Sequence, residues 1–390
     1  MHIRKLVLSI LLAVLVGFVS AQTIRIGAVA SATGPASALG EPEANTLKLL
    51  QDEYNAAGGI AGVPVEIIFL DSATDSAQAL TSVSRLIEEN DVHAIICCTT
   101  SGNSMAILDT VQGAGVPMIS MASIAPIIEP VEERFWVFKT PQIARVVLEA
   151  VVADIVSEGG ERVSFIAQEG AFGEEGATRF AEFAPAAGLE VVASEAYNRS
   201  DTNFTAQILK SIASRPDAVI VWGTVRDSAL VIQGLRERGY EGQIYASHGV
   251  GNPSFIENGG DAVQGARIPI GPMVVVNELA DDNPVKQVAS DYISWYEAEF
   301  GEGTASTFGG HAWDAMKLLE KALDELISEG ADLSETAAAR AAIRDRLESM
   351  GPMVGVHGTF DYTATDHMGL DNSGVVLTEV QGTGFVLVRE

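Results

Sequence analysis

The chain has 390 residues, with 24 Lys and Arg against 52 Asp and Glu, for a net charge of −28. This acidic balance argues against nucleic acid and anionic lipid as partners. A hydrophobic fraction of 47% with 38 Gly marks a folded, turn-rich protein rather than a disordered one, and two Cys exclude a disulfide scaffold or a Cys-based zinc site.

The first segment is an address. His2, Arg4 and Lys5 precede an almost wholly apolar run from Leu6 to Val19, and Val19-Ser20-Ala21 offers the small or β-branched residues that a signal peptidase reads. The run is shorter than the roughly 20 residues a membrane span needs. Residues 1–21 are therefore read as a cleaved signal peptide, and the mature chain as a soluble periplasmic protein.

Strand and helix then alternate. Thr23–Ala30 reads as a strand, 40–57 as a helix, Val63–Leu70 as a strand, Gln78–Glu89 as a helix, Val92–Cys98 as a strand, Ser104–Ala114 as a helix and Val116–Ser120 as a strand. The rhythm restarts with a helix over 142–157, strand Val163–Ala167, helix Glu174–Ala187, strand Val191–Tyr197, helix Phe204–Ala213, strand Ala218–Trp222, helix Ser228–Arg238 and strand Ile244–Ala246. Beyond Gly271 come three helices, Val285–Phe300, Gly310–Ser328 and Ala338–Met350, and then hairpin strands at Thr359–Phe360 and within Val375–Val388. Near-continuous apolar strands alternating with helices predict parallel sheets covered on both faces. Two such runs predict an α/β protein of two Rossmann-like, doubly wound lobes. The joints fall at Phe138–Pro141, Ile268–Pro272 and Met353–His357. They divide the chain into lobe 1 (22–140 plus 272–354) and lobe 2 (141–271 plus 355–390).

Catalytic signatures are scarce. Gly34–Gly40 follows the first strand but lacks the Lys-Ser/Thr ending of a phosphate loop, and it is not GxGxxG. A dehydrogenase would need that fingerprint. GxSxG and HExxH do not occur, and the six His are scattered. No enzyme activity, cofactor or metal is expected. Glu174 and Glu175, one turn from Arg179, read as a solvated helix face. Cys97 and Cys98 read as small buried hydrophobes, since bridging adjacent Cys closes a strained eight-membered ring.

What remains is a binding constellation. In open parallel sheets ligands sit beyond the carboxyl ends of the strands. That rule selects the loops after Ala30, Cys98, Ser120, Ala167, Trp222 and Ala246. Ser101-Gly102 opens a helix, so its free N–H groups favour an anion. Ser also caps helices for purely structural reasons. Ala122 permits close backbone approach and Ser123 adds a hydroxyl. Trp222 and Trp313 read as core rather than pocket walls.

Several segments together carry a family resemblance. They are Ile26-Gly27 leading to Thr33-Gly34-Pro35 with Gly40, Asn55-Ala56-Ala57-Gly58-Gly59-Ile60, Asp71-Ser72-Ala73-Thr74-Asp75, Gly115-Val116-Pro117-Met118-Ile119-Ser120, Phe172-Gly173-Glu174-Glu175-Gly176 and His248-Gly249-Val250-Gly251-Asn252. In this order the sequence resembles the periplasmic leucine/isoleucine/valine-binding family, solute receptors of ABC importers. The resemblance implies a type I periplasmic binding fold, or Venus-flytrap, with three hinge crossovers. It implies a monomer that hands an amino acid or other small carboxylate to a membrane permease. It places Ser101, Ala122 and Ser123 on the ligand carboxylate, with Phe172, Thr224 and His248 across the cleft. His248 stands where the family has an acid that balances an ammonium, and Leu39 stands where it has an aromatic. These departures favour a carboxylate with an apolar or aromatic body and a distal polar atom. Trp136–Gln142 and Phe308–Asp314 resemble a subgroup that includes receptors for aromatic acids. A sensory receptor of the same fold is the alternative; it would need a membrane segment or output domain.

Overall fold

The computed structural model describes residues 23–389. The signal-peptide reading of 1–21 lies outside them. The order of elements is β1 (Ile24–Ala30), α1 (Ser37–Ala56), β2 (Val65–Asp71), α2 (Ser76–Glu88), β3 (Ala94–Cys97), α3 (Ser101–Ala114), β4 (Met118–Ser120) and β5 (Val137–Lys139). Then follow α4 (Ala144–Ser157), β6 (Arg162–Gln168), α5 (Ala171–Ala186), β7 (Glu190–Tyr197), α6 (Thr205–Ala213), β8 (Ala218–Trp222), α7 (Val225–Glu237), β9 (Gln243–Ala246), α8 (Pro253–Gly259) and β10 (Arg267–Ile270). The last part holds α9 (Pro284–Phe300), α10 (Thr307–Ser328), α11 (Thr336–Ser349), β11 (Met353–Val354), β12 (Thr359–Phe360), β13 (Val376–Gln381) and β14 (Gly384–Arg389). No helix among the described residues is long and apolar enough to cross a membrane.

Two large sheets result. The first has the order β2-β1-β3-β4-β5 and is wholly parallel. The second has the order β14-β13-β10-β9-β8-β6-β7, parallel from β10 to β7, with β13 and β14 antiparallel at one edge. This is the predicted pair of α/β lobes. Central strands such as β3 and β8 are buried at every position, which is why their sequences run apolar without alternation. Edge strand β7 is instead exposed or half-buried at every position except Tyr197.

Short elements escaped the sequence. β5 and β10 read as joints because a Lys and a Pro interrupt runs of three or four residues. α1 begins at Ser37, earlier than expected, because the Gly34–Gly40 segment is a turn running directly into a helix. Gly40 is required there: a Cβ would lie 2.3 Å from the Ser31 carbonyl.

α10 and α11 cover the first sheet. Tyr54 Oη donates to Glu320 Oε2 at 2.7 Å, and Arg340 Nε donates to the Val92 carbonyl at 2.9 Å. Residues after 355 also begin on this side. Tyr362 Oη donates to the Lys139 carbonyl at 2.9 Å, and the Lys139 N–H donates to the His367 carbonyl at 3.2 Å. The last passage into the second sheet therefore comes at Val376 rather than at 355.

One local reading is corrected. Cys97 and Cys98 are fully buried, as expected, but they form a disulfide with one another across a cis peptide bond. The ring that adjacency was expected to disfavour closes with the two Cα atoms 3.1 Å apart.

Candidate functional site

The loops after β3, β4, β6, β8 and β9 line one cavity. Strand order reverses beside these loops: β1 lies between β2 and β3, and β6 between β7 and β8. Such switch points leave a crevice at the strand ends.

The first wall is built on α3. Thr100 is extended, and its hydroxyl accepts the Asn103 N–H at 3.3 Å, which starts the helix. The N–H groups of the first turn, from Ser101 on, then have no acceptor within the helix, and they carry the positive end of its dipole. Asn103 Nδ2 donates to Ser72 Oγ at 3.1 Å, Asn103 Oδ1 accepts from Ser76 Oγ at 3.1 Å, and Ser72 Oγ lies 3.0 Å from Ser31 Oγ. This network ties the helix start to the ends of β1 and β2. Ser101 lines the cavity; Gly102 is exposed and does not. Ala122 and Ser123 also line it. The Ala122 N–H, however, already donates to Ser120 Oγ at 3.1 Å, so it is not a free anion donor. The Ser123 carbonyl accepts from the Lys139 ammonium.

The opposite wall is aromatic. Phe172, at the start of α5, stacks on Trp222 at 5.5 Å, and Trp222 Nε1 donates to the Phe172 carbonyl at 3.1 Å. Gly176 makes this possible, since a Cβ there would fall 2.3 Å from the indole nitrogen. His248 meets both rings edge-on, 5.6 Å from Phe172 and 5.8 Å from Trp222. The Thr224 hydroxyl donates to Asp227 Oδ1 at 2.9 Å, so towards the cavity it can only accept. Leu39 closes the side. Trp222 is fully buried beneath Phe172, as expected of core, while Trp313 is half-buried and packs on Trp295 at 4.9 Å; neither lines the cavity.

Charge is arranged asymmetrically. Lys139 is wholly buried, and burial pulls its ammonium down to about 7, against the raising pull of Glu175 and Glu129. Arg199 lines the cavity and has no ion-pair partner among the described residues. Burial, reinforced by Lys139, pushes His248 down to about 3, so its imidazole is neutral at pH 7. Neither of its ring nitrogens has a hydrogen-bond partner among the described residues. Glu175 is not on a solvated face: its Oε1 accepts the Ala125 N–H from the other lobe at 3.0 Å. Burial raises its carboxyl above the usual range.

Lys139, Gln142, Phe308 and His311 fall in the two stretches that resemble the aromatic-acid subgroup but were not assigned to the site, and Arg199 was not singled out. A Lys inside the apolar Val137–Lys139 run was the available signal. His311, Asp314 and His357 offer ligand atoms within 4.8 Å of one another. The two rings stack at 3.6 Å and 10°, so their in-plane lone pairs run parallel rather than converging. Asp314 already accepts from Val356 N at 2.8 Å, and its other oxygen lies 2.8 Å from His357 Nδ1. This is a packed structural knot rather than an ion cage.

Residues 23–384 match the family model described as periplasmic binding protein. Among curated proteins, the chain is 24% identical over 331 residues to Leu/Ile/Val-binding protein homolog 7 of Brucella abortus (strain 2308), covering 82% of this chain and 81% of that one. It is 24% identical over 369 residues to homolog 3 of Brucella melitensis, covering 93% of each. Among solved structures, an extracellular ligand-binding receptor from Rhodopseudomonas palustris HaA2 superposes with a TM-score of 0.88 at 32% identity, over 93% of this chain and 99% of that one. The branched-chain amino acid transporter substrate binding protein LivJ from Streptococcus pneumoniae, in complex with isoleucine, superposes at 0.77 with 22% identity, over 95% and 100%, and shares the fold.

Proposed function

Because the chain belongs to the periplasmic binding protein family, we propose that it is an exported, non-enzymatic receptor that captures a small carboxylate with an apolar body and delivers it to the permease of an ABC importer. Residues 1–21 direct export, the mature chain acts as a monomer in the periplasm, and the crossovers between the sheets serve as the hinge. Open lobes admit the ligand, and closure encloses it. A ligand favours the closed form only through contacts it gains there.

One observation carries the reading: the cavity sits between the lobes, with helix-start donors at Ser101 on one side and an unpaired Arg199 on the other. Lys139 adds a buried positive charge behind Ser123. These groups suit an anion. Leu39, Phe172 and Phe308 supply the apolar enclosure. Among the described residues, none that lines the cavity is an acid that could balance an ammonium, and Asp227 behind Thr224 is held by Thr224 and Tyr197. That supports an organic acid, including an aromatic one, over a zwitterionic amino acid.

A thermal-shift panel of aromatic acids, branched keto or hydroxy acids and amino acids tests this. Ligands that bind only the native state raise the melting temperature. The reading requires stabilisation by at least one non-amino carboxylate; a response confined to leucine, isoleucine or valine refutes the organic-acid assignment.

A further inference from the structure

His311 was in no expected ligand set, yet it lines the cavity from the first turns of α10 at 4% exposure. Its Nδ1 has no hydrogen-bond partner among the described residues. Across the cavity, His248 is 7% exposed, and both of its nitrogens are also unpartnered. Buried polar atoms are nearly always paired, and leaving one unpaired costs roughly 1–3 kcal/mol. Two such side chains, from opposite lobes and facing one cavity, therefore point to a ligand group that completes them on closure.

His311 is also held in place. Its ring stacks on His357 at 3.6 Å, and His357 is fixed by Asp314 Oδ2 at 2.8 Å from Nδ1. The Thr140 hydroxyl donates to the His311 carbonyl at 3.3 Å. A pre-oriented imidazole discriminates between ligand atoms better than a mobile one.

We propose that His311 and His248 form a second recognition pole, which reads an uncharged hydroxyl at the end of the ligand remote from its carboxylate. This rests on the carboxylate reading above. A neutral imidazole carries one donor and one acceptor. A hydroxyl is likewise both donor and acceptor, so it can satisfy both kinds of nitrogen. An ammonium only donates, so it leaves an imidazole N–H unpaired. A second carboxylate only accepts. The ligand class that follows is the hydroxylated carboxylic acids lacking an amino group.

The test is calorimetric titration of the mature chain with three matched pairs: 4-hydroxybenzoate and benzoate, 4-hydroxyphenylacetate and phenylacetate, 6-hydroxyhexanoate and hexanoate. The hydroxylated member of at least one pair should bind about ten-fold more tightly, the usual size of a well-made buried hydrogen bond. In His311→Phe, which keeps a stacked ring on His357, that ratio should fall to within about two-fold of unity. His248→Phe reads the same pole from the other lobe and serves if the first variant fails to fold. A hydroxyl that confers no advantage in any pair, or an advantage that both variants retain, overturns the pole while leaving the carboxylate reading standing. If no acid of any pair binds, the carboxylate reading fails first and the pole falls with it.

Discussion

Lys139 shows how one buried charge tunes a binding site. Its ammonium is neutralised by burial near pH 7. Below that pH it is a cation beside the Ser123 loop; above it, the attraction for an anion is lost. Carboxylate affinity should therefore fall as pH rises from 6 to 9, and Lys139→Met should flatten that dependence; calorimetry across the range reads both. The same group affects stability in a defined direction. Between about 7 and the ordinary value of 10.5, the unfolded chain holds a proton that the folded chain has released. Its contribution to unfolding free energy therefore rises with pH across that window. Below it, both states are charged and the full burial penalty applies. Ser101 is the complementary case, a neutral donor at a helix start. Ser101→Ala should weaken carboxylate binding by roughly 1–3 kcal/mol, the loss typical of a charge-assisted hydrogen bond. Unchanged affinity in a titration would remove Ser101 from the site. Ser101 and His248 could be found in the sequence because strand ends mark the crevice. Lys139 and His311 lay in marked stretches, but their place at the site was not legible, since their burial is set by packing with distant segments, around Tyr362 and His357.

Helix α5 does two jobs from consecutive turns. Its first turn places Phe172 over Trp222, and the next carries Glu175 across to the Ala125 N–H. The second contact joins the lobes, so it exists only when they are together. Asn252 Nδ2 donating to the Ala38 carbonyl at 2.7 Å, and Thr307 N–H donating to the Gly251 carbonyl at 3.0 Å, join them elsewhere. Glu175→Gln exchanges a charge-assisted acceptor for a neutral one. It should lower ligand affinity several-fold, about 0.5–1.5 kcal/mol, through a smaller closed population, with the melting temperature of the unliganded chain little changed. Equal affinity for ligand in variant and wild type would show that the contact does not hold the lobes together. Periodicity revealed α5 but not this role: a Glu-Glu pair facing solvent and one facing another lobe look alike until the partner is placed. The same limit hid β5 and β10, whose strand character comes from the neighbours they pair with, β4 for one and β13 for the other.

The two sheets were legible because their central strands are apolar throughout, which only burial on both faces explains. How the chain crosses between them was less legible. The final segment first packs against β5 through Tyr362 and His367, and joins the second sheet only at Val376. Ligand capture should therefore move two packed bodies about crossovers near 140, 271 and 371–375, with little change inside either sheet. Small-angle X-ray scattering of the mature chain, titrated with the stabilising acids, measures that movement. A saturable fall in radius of gyration with a non-amino carboxylate, much reduced in Ser101→Ala, is the predicted result. An unchanged radius with every acid, or a fall produced by branched-chain amino acids alone, would contradict it.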